Sequence, residues 1–267
     1  MNLAASNFIF LMTLGLPHAI FIFYWKFTYT DSDCRADLFL ARSSRGLAIC
    51  LTCLLSCFQC VTLASSSVRW LYFKIRLQKY LTPVIVFLSL LSLTSSLNAA
   101  LYPVAYYNAT DNHSFSLGYC FVLYPTRFLF QAIGFITFSR DLVFVILMAL
   151  ASTYILLILH RHRKQMKGKR SSERKQEATA EQQASKTIVT LVVLYVFFFG
   201  LDNSIWFYQI AVGEAFKEIT DIRHYLSFCF PTIFPVIILL FNQKLQNKIG
   251  PCVKTQLSHL QAVSSIQ

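Results

Sequence analysis

The chain has 267 residues, 55% of them hydrophobic and 13% charged, where a soluble domain carries roughly 25% charged residues. A water-soluble globule cannot cover that much apolar surface, and a disordered chain is apolar-poor and charge-rich, so both classes are excluded. The net charge of +12 falls between apolar stretches, which argues against a nucleic-acid face and for a polytopic membrane protein with basic cytoplasmic loops.

A helix needs about 20 mainly apolar residues to cross a bilayer, and six stretches qualify. The first is expected over about 3–25, kinked by Pro17. The second covers 37–63 and carries Arg42 and Arg45 in its outer third. The third covers 81–103. The fourth is expected over 137–159, its start lying somewhere between Thr126 and Ser139. The fifth covers 187–210 and the sixth 224–241. Residues 1–242 thus read as one transmembrane domain and 243–267 as a basic tail. No repeat, linker or second domain stands out. The start of the chain lacks the basic n-region and small-residue cleavage site of a signal peptide.

Loop composition sets the topology. Asn108 and Asn112 open N-glycosylation sequons, Asn-Ala-Thr and Asn-His-Ser, which belong outside. Residues 160–186 hold nine Lys and Arg and belong in the cytoplasm. A single span between them satisfies both, whereas two spans turning at Ser139-Arg140-Asp141 would not. Residues 64–80 add four basic residues and the tail three, together two thirds of the 24 in the chain. The C-terminus is therefore expected inside and, with six spans, the N-terminus too. Glu173, Glu177 and Glu181 recur every four residues, a spacing that suits a helical extension of the basic loop.

There are eight cysteines. Cys34 opens the second span and Cys120 lies in the glycosylatable loop. Both face an oxidising compartment, so a disulfide between them is expected, two free thiols being the alternative. Cys50, Cys53, Cys57 and Cys60 share a face of the second span. A rigid helix rises too far between them for one tetrahedral metal ion, so they read as packing residues.

Arg42, Arg45, Arg140, Asp141 and Asp202 lie in or beside apolar spans. Charges there are costly in lipid and face a bundle interior or an aqueous cavity. Arg42 and Arg45 are one turn apart, roughly 12 to 17 Å below Cys34 at 1.5 Å per residue. Asp202 sits at a similar depth in the fifth span. The three are expected to share an outer cavity with Phe39, Trp206 and Tyr208 as apolar walls, an internal Arg–Asp pair being the structural alternative. No nucleophile elbow, metalloprotease helix, phosphate loop or dinucleotide fingerprint is present, so no enzyme activity, cofactor or metal is expected.

Motifs in order then resemble one family. Arg45-Gly46 followed by Thr52-Cys53-Leu54-Leu55-Ser56-Cys57-Phe58-Gln59 is similar to the third helix of vomeronasal type-1 receptors and their fish counterparts, the class A-like olfactory receptors. A sequon followed by Leu117-Gly118-Tyr119-Cys120 is similar to their outer loop. Ser139-Arg140-Asp141 and Phe144-Val145 resemble their fifth helix, and Leu159-His160-Arg161-His162-Arg163 its basic exit. Ala184, Lys186 and Thr187 resemble the start of the sixth, and Pro231-Thr232 with Pro235 the seventh. Phe58-Gln59-Cys60 stands where other rhodopsin-like receptors carry Asp-Arg-Tyr, as in this family. Asn2-Leu3-Ala4-Ala5-Ser6-Asn7 resembles the second helix, so the family's first helix is expected to be missing from this chain.

The resemblance implies an all-α polytopic membrane helix bundle of the rhodopsin-like seven-helix type, with six spans present. It implies a G protein-coupled chemosensory receptor at the plasma membrane, binding a small pheromone or odorant between the outer helix halves and signalling through a heterotrimeric G protein. The alternatives are a bitter-taste-type receptor, which generally lacks the outer-loop cysteine, and a fragment of a secondary transporter, whose broken helices and repeats are not seen here.

Overall fold

In hydrocarbon, backbone polar groups must be satisfied within the protein, and a helix does this inside one segment. The computed structural model describes residues 2–24, 30–63, 68–105, 114–116, 120–166, 173–212 and 217–241, and most of them are in long helices. In chain order these are α1 (Asn2–Phe10), a π-helical turn (Leu11–Gly15), α2 (Leu16–Tyr24), α3 (Asp31–Leu63), α4 (Val68–Ser95), the short α5 (Asn98–Leu101), α6 (Arg127–Met166), α7 (Glu173–Val212) and α8 (Lys217–Phe241). The sequons at Asn108 and Asn112 and the tail 243–267 lie outside the described residues.

Among the described residues, five helical segments are long and apolar enough to cross a membrane: Asn2–Phe21, Asp31–Thr62, Ile75–Ser95, Arg127–Ile158 and Val189–Gln209. The sixth expected stretch forms α8 but is not one of those five. Val86, Phe87 and Leu90 of α4 and Ile136, Val143 and Leu150 of α6 are exposed. Such faces suit lipid, where an apolar side chain needs no cover.

Pro17 acts on the turn before it. A proline lacks an N–H, and its ring crowds the carbonyl four residues back, here Thr13 in the π-helical turn. The helix accommodates this by widening rather than breaking: the N–H of Leu16 reaches the carbonyl of Leu11.

The third expected stretch ends early, at Ser95 rather than near Pro103. Ser92, Ser95 and Ser96 turn their hydroxyls onto local carbonyls, which competes with helical pairing. The chain tightens through three-residue bonds, Ser96 N–H to Leu93 and Leu97 N–H to Thr94. Pro103 then disfavours helix at Tyr102. From there the chain enters a small antiparallel sheet, a departure from the all-α reading. It comprises β1 (Pro103–Val104), β2 (Ser114–Ser116) and β3 (Phe121–Leu123) in the order β1-β3-β2.

This sheet caps one end of the bundle. Cys120, just before β3, is disulfide-bonded to Cys34 near the start of α3, with Cα atoms 5.9 Å apart. Arg35 Nε donates to the Pro103 carbonyl at 3.2 Å, and the Ala105 N–H donates to Asp31 Oδ1 at 2.7 Å. Under the cap lies one core of Phe10, Leu14, Cys34, Leu38, Ala41, Val122 and Tyr124. A second core, farther along α3, gathers Ile49, Cys53, Met148, Val192, Tyr195, Phe199, Phe230 and Phe234. Between the two lies a layer of charge.

Candidate ligand-binding site

The layered order repeats along each long helix. On α3, the capped core ends at Ala41, Arg42 and Arg45 follow, and the aromatic core begins at Ile49. On α6, Phe130 and Ile133 pack with the capped core, Arg140 and Asp141 follow, and Val145 and Met148 belong to the aromatic core. On α7, Asp202 lies one turn past Phe199. Helical rise brings the charged positions to one level.

Buried Asp202 is the centre of this layer. Its carboxylate is paired with the Arg45 guanidinium. It also accepts from Arg223 Nε at 3.2 Å and from the Ser227 hydroxyl at 3.2 Å. Arg45 donates to Ser227 Oγ at 3.1 Å. One carboxylate therefore joins α3, α7 and α8. Arg223 reaches on toward Gln209 Oε1 at 3.4 Å, and Gln209 donates to Thr220 Oγ1 at 2.9 Å. The Arg223 guanidinium also stands 4.3 Å from the centre of the Trp206 ring, within cation–π range. A second pair joins Arg140 to Asp141 at 2.6 Å, and Arg140 also reaches the Ser95 hydroxyl of α4. Gly46 makes room for it: a Cβ there would stand 3.2 Å from Arg140 Nη2.

A cavity of about 130 Å³ opens in this layer. Arg42, Arg45, Arg140, Arg223, Asp141 and Asp202 supply its charged walls. Tyr124, Ile133, Phe138 and Trp206 supply apolar ones, and Ser95, Ser96, Asn98, Thr137 and Asn203 the neutral polar ones. An aromatic chain roofs it. Trp206 packs on Phe130 with ring centres 5.3 Å apart, Phe130 on Tyr124 at 5.3 Å, and Tyr124 on Tyr102 at 5.5 Å. A smaller space of about 40 Å³ lies against the aromatic core, lined by Asn7, Phe10, Tyr195, Phe199 and Phe230. Arg45 and Asp202 border both spaces, so their ion pair is the partition between them.

The structure brings together most of the expected site residues. Arg42, Arg45, Asp202 and Trp206 line the larger cavity. Phe39 is half-buried on α3 and is not among the lining residues. Tyr208 is 52% exposed, because two residues past Trp206 a helix has turned to its opposite face. The direct Arg45–Asp202 pair and the open cavity occur together rather than as alternatives. Sequence reading missed Arg223, Ser227 and Tyr124. The sixth apolar stretch opens at His224, one residue too late to include Arg223, whereas α8 starts at Lys217. A cation placed directly before an apolar run was the available signal. Tyr124 carried none beyond its place four residues after Cys120.

Fold and site together define a multi-pass helical membrane protein with a strapped end and a charged cavity beneath it. Residues 1–250 match the model of the vomeronasal organ pheromone receptor family. The chain is 33% identical over 250 residues to olfactory receptor class A-like protein 1 of Danio rerio, covering 93% of this chain and 78% of that protein. It is 30% identical over 244 residues to vomeronasal type-1 receptor 90 of Rattus norvegicus, covering 90% and 76%. It is 24% identical over 239 residues to vomeronasal type-1 receptor 4 of Homo sapiens, covering 89% and 79%. The chain belongs to the vomeronasal type-1 family of chemosensory receptors.

Proposed function

We propose that this protein is a G protein-coupled receptor of the plasma membrane that binds a small pheromone or odorant in the cavity among α3, α6, α7 and α8. The observation that carries the reading is the 130 Å³ cavity in a chain of a receptor family. Its walls combine apolar surface with convergent polar groups, the usual make-up of a small-molecule site. Arg42, Arg45, Asp202 and Trp206 contact the ligand. Tyr124 with Arg223 completes the wall. The protein catalyses no covalent step and uses no cofactor or metal. A ligand that prefers one packing of the bundle shifts the population toward it. Because Asp202 ties three helices, a ligand pressing on Arg45 or Arg223 acts on all three. The disulfide cap faces outward and residues 160–186 face the cytoplasm, where their basic residues meet the heterotrimeric G protein. The C-terminal tail lies on the same side.

The test expresses the chain in cells with a G protein reporter and screens a panel of odorants. Trp206→Ala is expected to weaken the response to active compounds with the surface level of the receptor retained. A variant that reaches the surface and responds to every active compound like the parent would remove the cavity from the reading. Protease protection in microsomes checks the orientation: residues 160–186 should be cut from outside the vesicle, and full protection of that segment would reverse it.

A further inference from the structure

We propose that the exposed face of α4 binds anionic phospholipid through Arg76 and Lys79. The proposal goes beyond the cavity and needs only that the helices lie in a bilayer. α4 contains no Asp or Glu. At about 100° per residue, Tyr72, Arg76, Lys79, Val86, Phe87 and Leu90 share one side of it. All six are exposed. Leu88 and Ser92, on the opposite side, are buried. Along the axis this face changes character. From Val86 to Leu90 it is apolar and suits hydrocarbon. Toward the Val68 end it carries two cations and a tyrosine. The Ser95 end of α4 leads to the cap, so the cations lie at the uncapped end of the bundle. Lys79 stands roughly 10 Å before Val86 at 1.5 Å per residue.

Among the described residues, no ion pair holds Arg76 or Lys79. Long basic side chains cover apolar surface with their stems while the charge reaches the polar zone of the membrane. Tyrosine belongs at the same depth, where hydrocarbon meets headgroups. A lipid phosphate supplies the missing counter-ion. The planar fork of an arginine grips two of its oxygens, and a lysine adds a point charge. Phosphatidylcholine brings a cation with its phosphate and gains less than a lipid of net negative charge. The acyl chains then lie along Val86, Phe87 and Leu90. This continuity favours a lipid over a soluble protein, because a soluble partner meets only the part of a helix that leaves the membrane. The orientation proposed above puts this end in the cytoplasmic leaflet, the one that carries anionic lipid.

The test offers the full chain, purified in detergent micelles, equal amounts of phosphatidylserine, phosphatidylinositol and phosphatidylcholine with the same acyl chains. Native mass spectrometry counts the lipids retained. At least one anionic lipid should be held about tenfold more tightly than phosphatidylcholine. Arg76→Gln combined with Lys79→Gln should remove most of that preference, about fivefold for each cation. Arg161→Gln, which removes an exposed cation of α6 at the same end, should leave it near the parent. Anionic lipid retained no better than phosphatidylcholine would overturn the proposal, and so would a preference that survives the double variant. Should the double variant fail to accumulate, Lys79→Glu alone serves. It should weaken retention of anionic lipid, and unchanged retention counts against the face. Glycerophosphoserine, the headgroup without its chains, separates a lipid surface from a phosphate site. A large excess should fail to displace phosphatidylserine, since it buries no apolar surface on α4, and displacement would end the lipid assignment. If the double variant keeps the lipid preference but loses G protein activation, the face docks protein and the proposal falls.

Discussion

The capped core and the aromatic core lie on the same helices and are held in different ways. Under the cap, a covalent bond, the Arg35 and Asp31 side chains and a three-stranded sheet fix the chain at named points. Past the charged layer, packing takes over. Tyr195 stands edge-on to Phe230 with ring centres 4.9 Å apart, and small Cys53 lets the helices approach. Directional bonds give an accurately placed surface near the cavity. Shape-filling contacts hold the helices by fit rather than by single bonds. The charged layer belongs to both cores, because Asp202 holds α3, α7 and α8 at the level where they meet.

Four changes break or sharpen this contrast. Asp202→Ala should cost most, because it leaves Arg45 and Arg223 facing each other without their shared counter-ion. Breaking one side of a buried pair costs about 3–5 kcal/mol, read as a large drop in thermal unfolding temperature in micelles. Unfolding indistinguishable from the parent would mean that the layer does not join the two cores.

Cys34→Ser or Cys120→Ser comes next. Loss of a native disulfide costs about 2–5 kcal/mol in small domains. Here the loss should loosen the cap while far-ultraviolet helicity from the aromatic core persists. Peptide mapping should find both thiols closed to alkylation until reduced, and free thiols in the unreduced protein would remove the strap. Ile49→Val, at a fully buried position of the aromatic core, should cost about 1 kcal/mol, with ligand protection unchanged. Gly46→Ala should cost less still, under about 1 kcal/mol, since the Arg140 guanidinium it would touch sits at the end of a flexible side chain. Its effect should show instead as altered ligand protection, because that guanidinium also lines the cavity.

How the sequence announced these features depends on their physics. Long apolar runs declare helices because hydrocarbon allows little else, so the existence of the long helices was legible. Arg45 and Asp202 were legible because charges in apolar runs must turn inward, and one carboxylate near two arginines at equal depth has few other places to go. Arg223 was hidden by a boundary. Hydropathy locates where a membrane segment becomes apolar, whereas the helix itself began two turns earlier and brought a cation with it. The early end of α4 was hidden differently. Its serines satisfy local carbonyls, an alternative that mean hydropathy cannot see. Phe39 and Tyr208 rest on a general expectation of an aromatic wall, and helical phase assigns Tyr208 to the outside.

The π-helical turn at Leu11–Gly15 has a consequence for how this chain tolerates change in length. It holds about one residue more than the α-helical turn it replaces, which rotates everything beyond it by roughly 100° relative to a continuous α-helix. The azimuth that sets buried Asn7 into the bundle and the one that sets buried His18 against His224 are thus independent settings. Removing one residue within 11–15 would return the segment to a continuous α-helix and turn His18 away from α8. The wide turn works as a built-in phase adjuster.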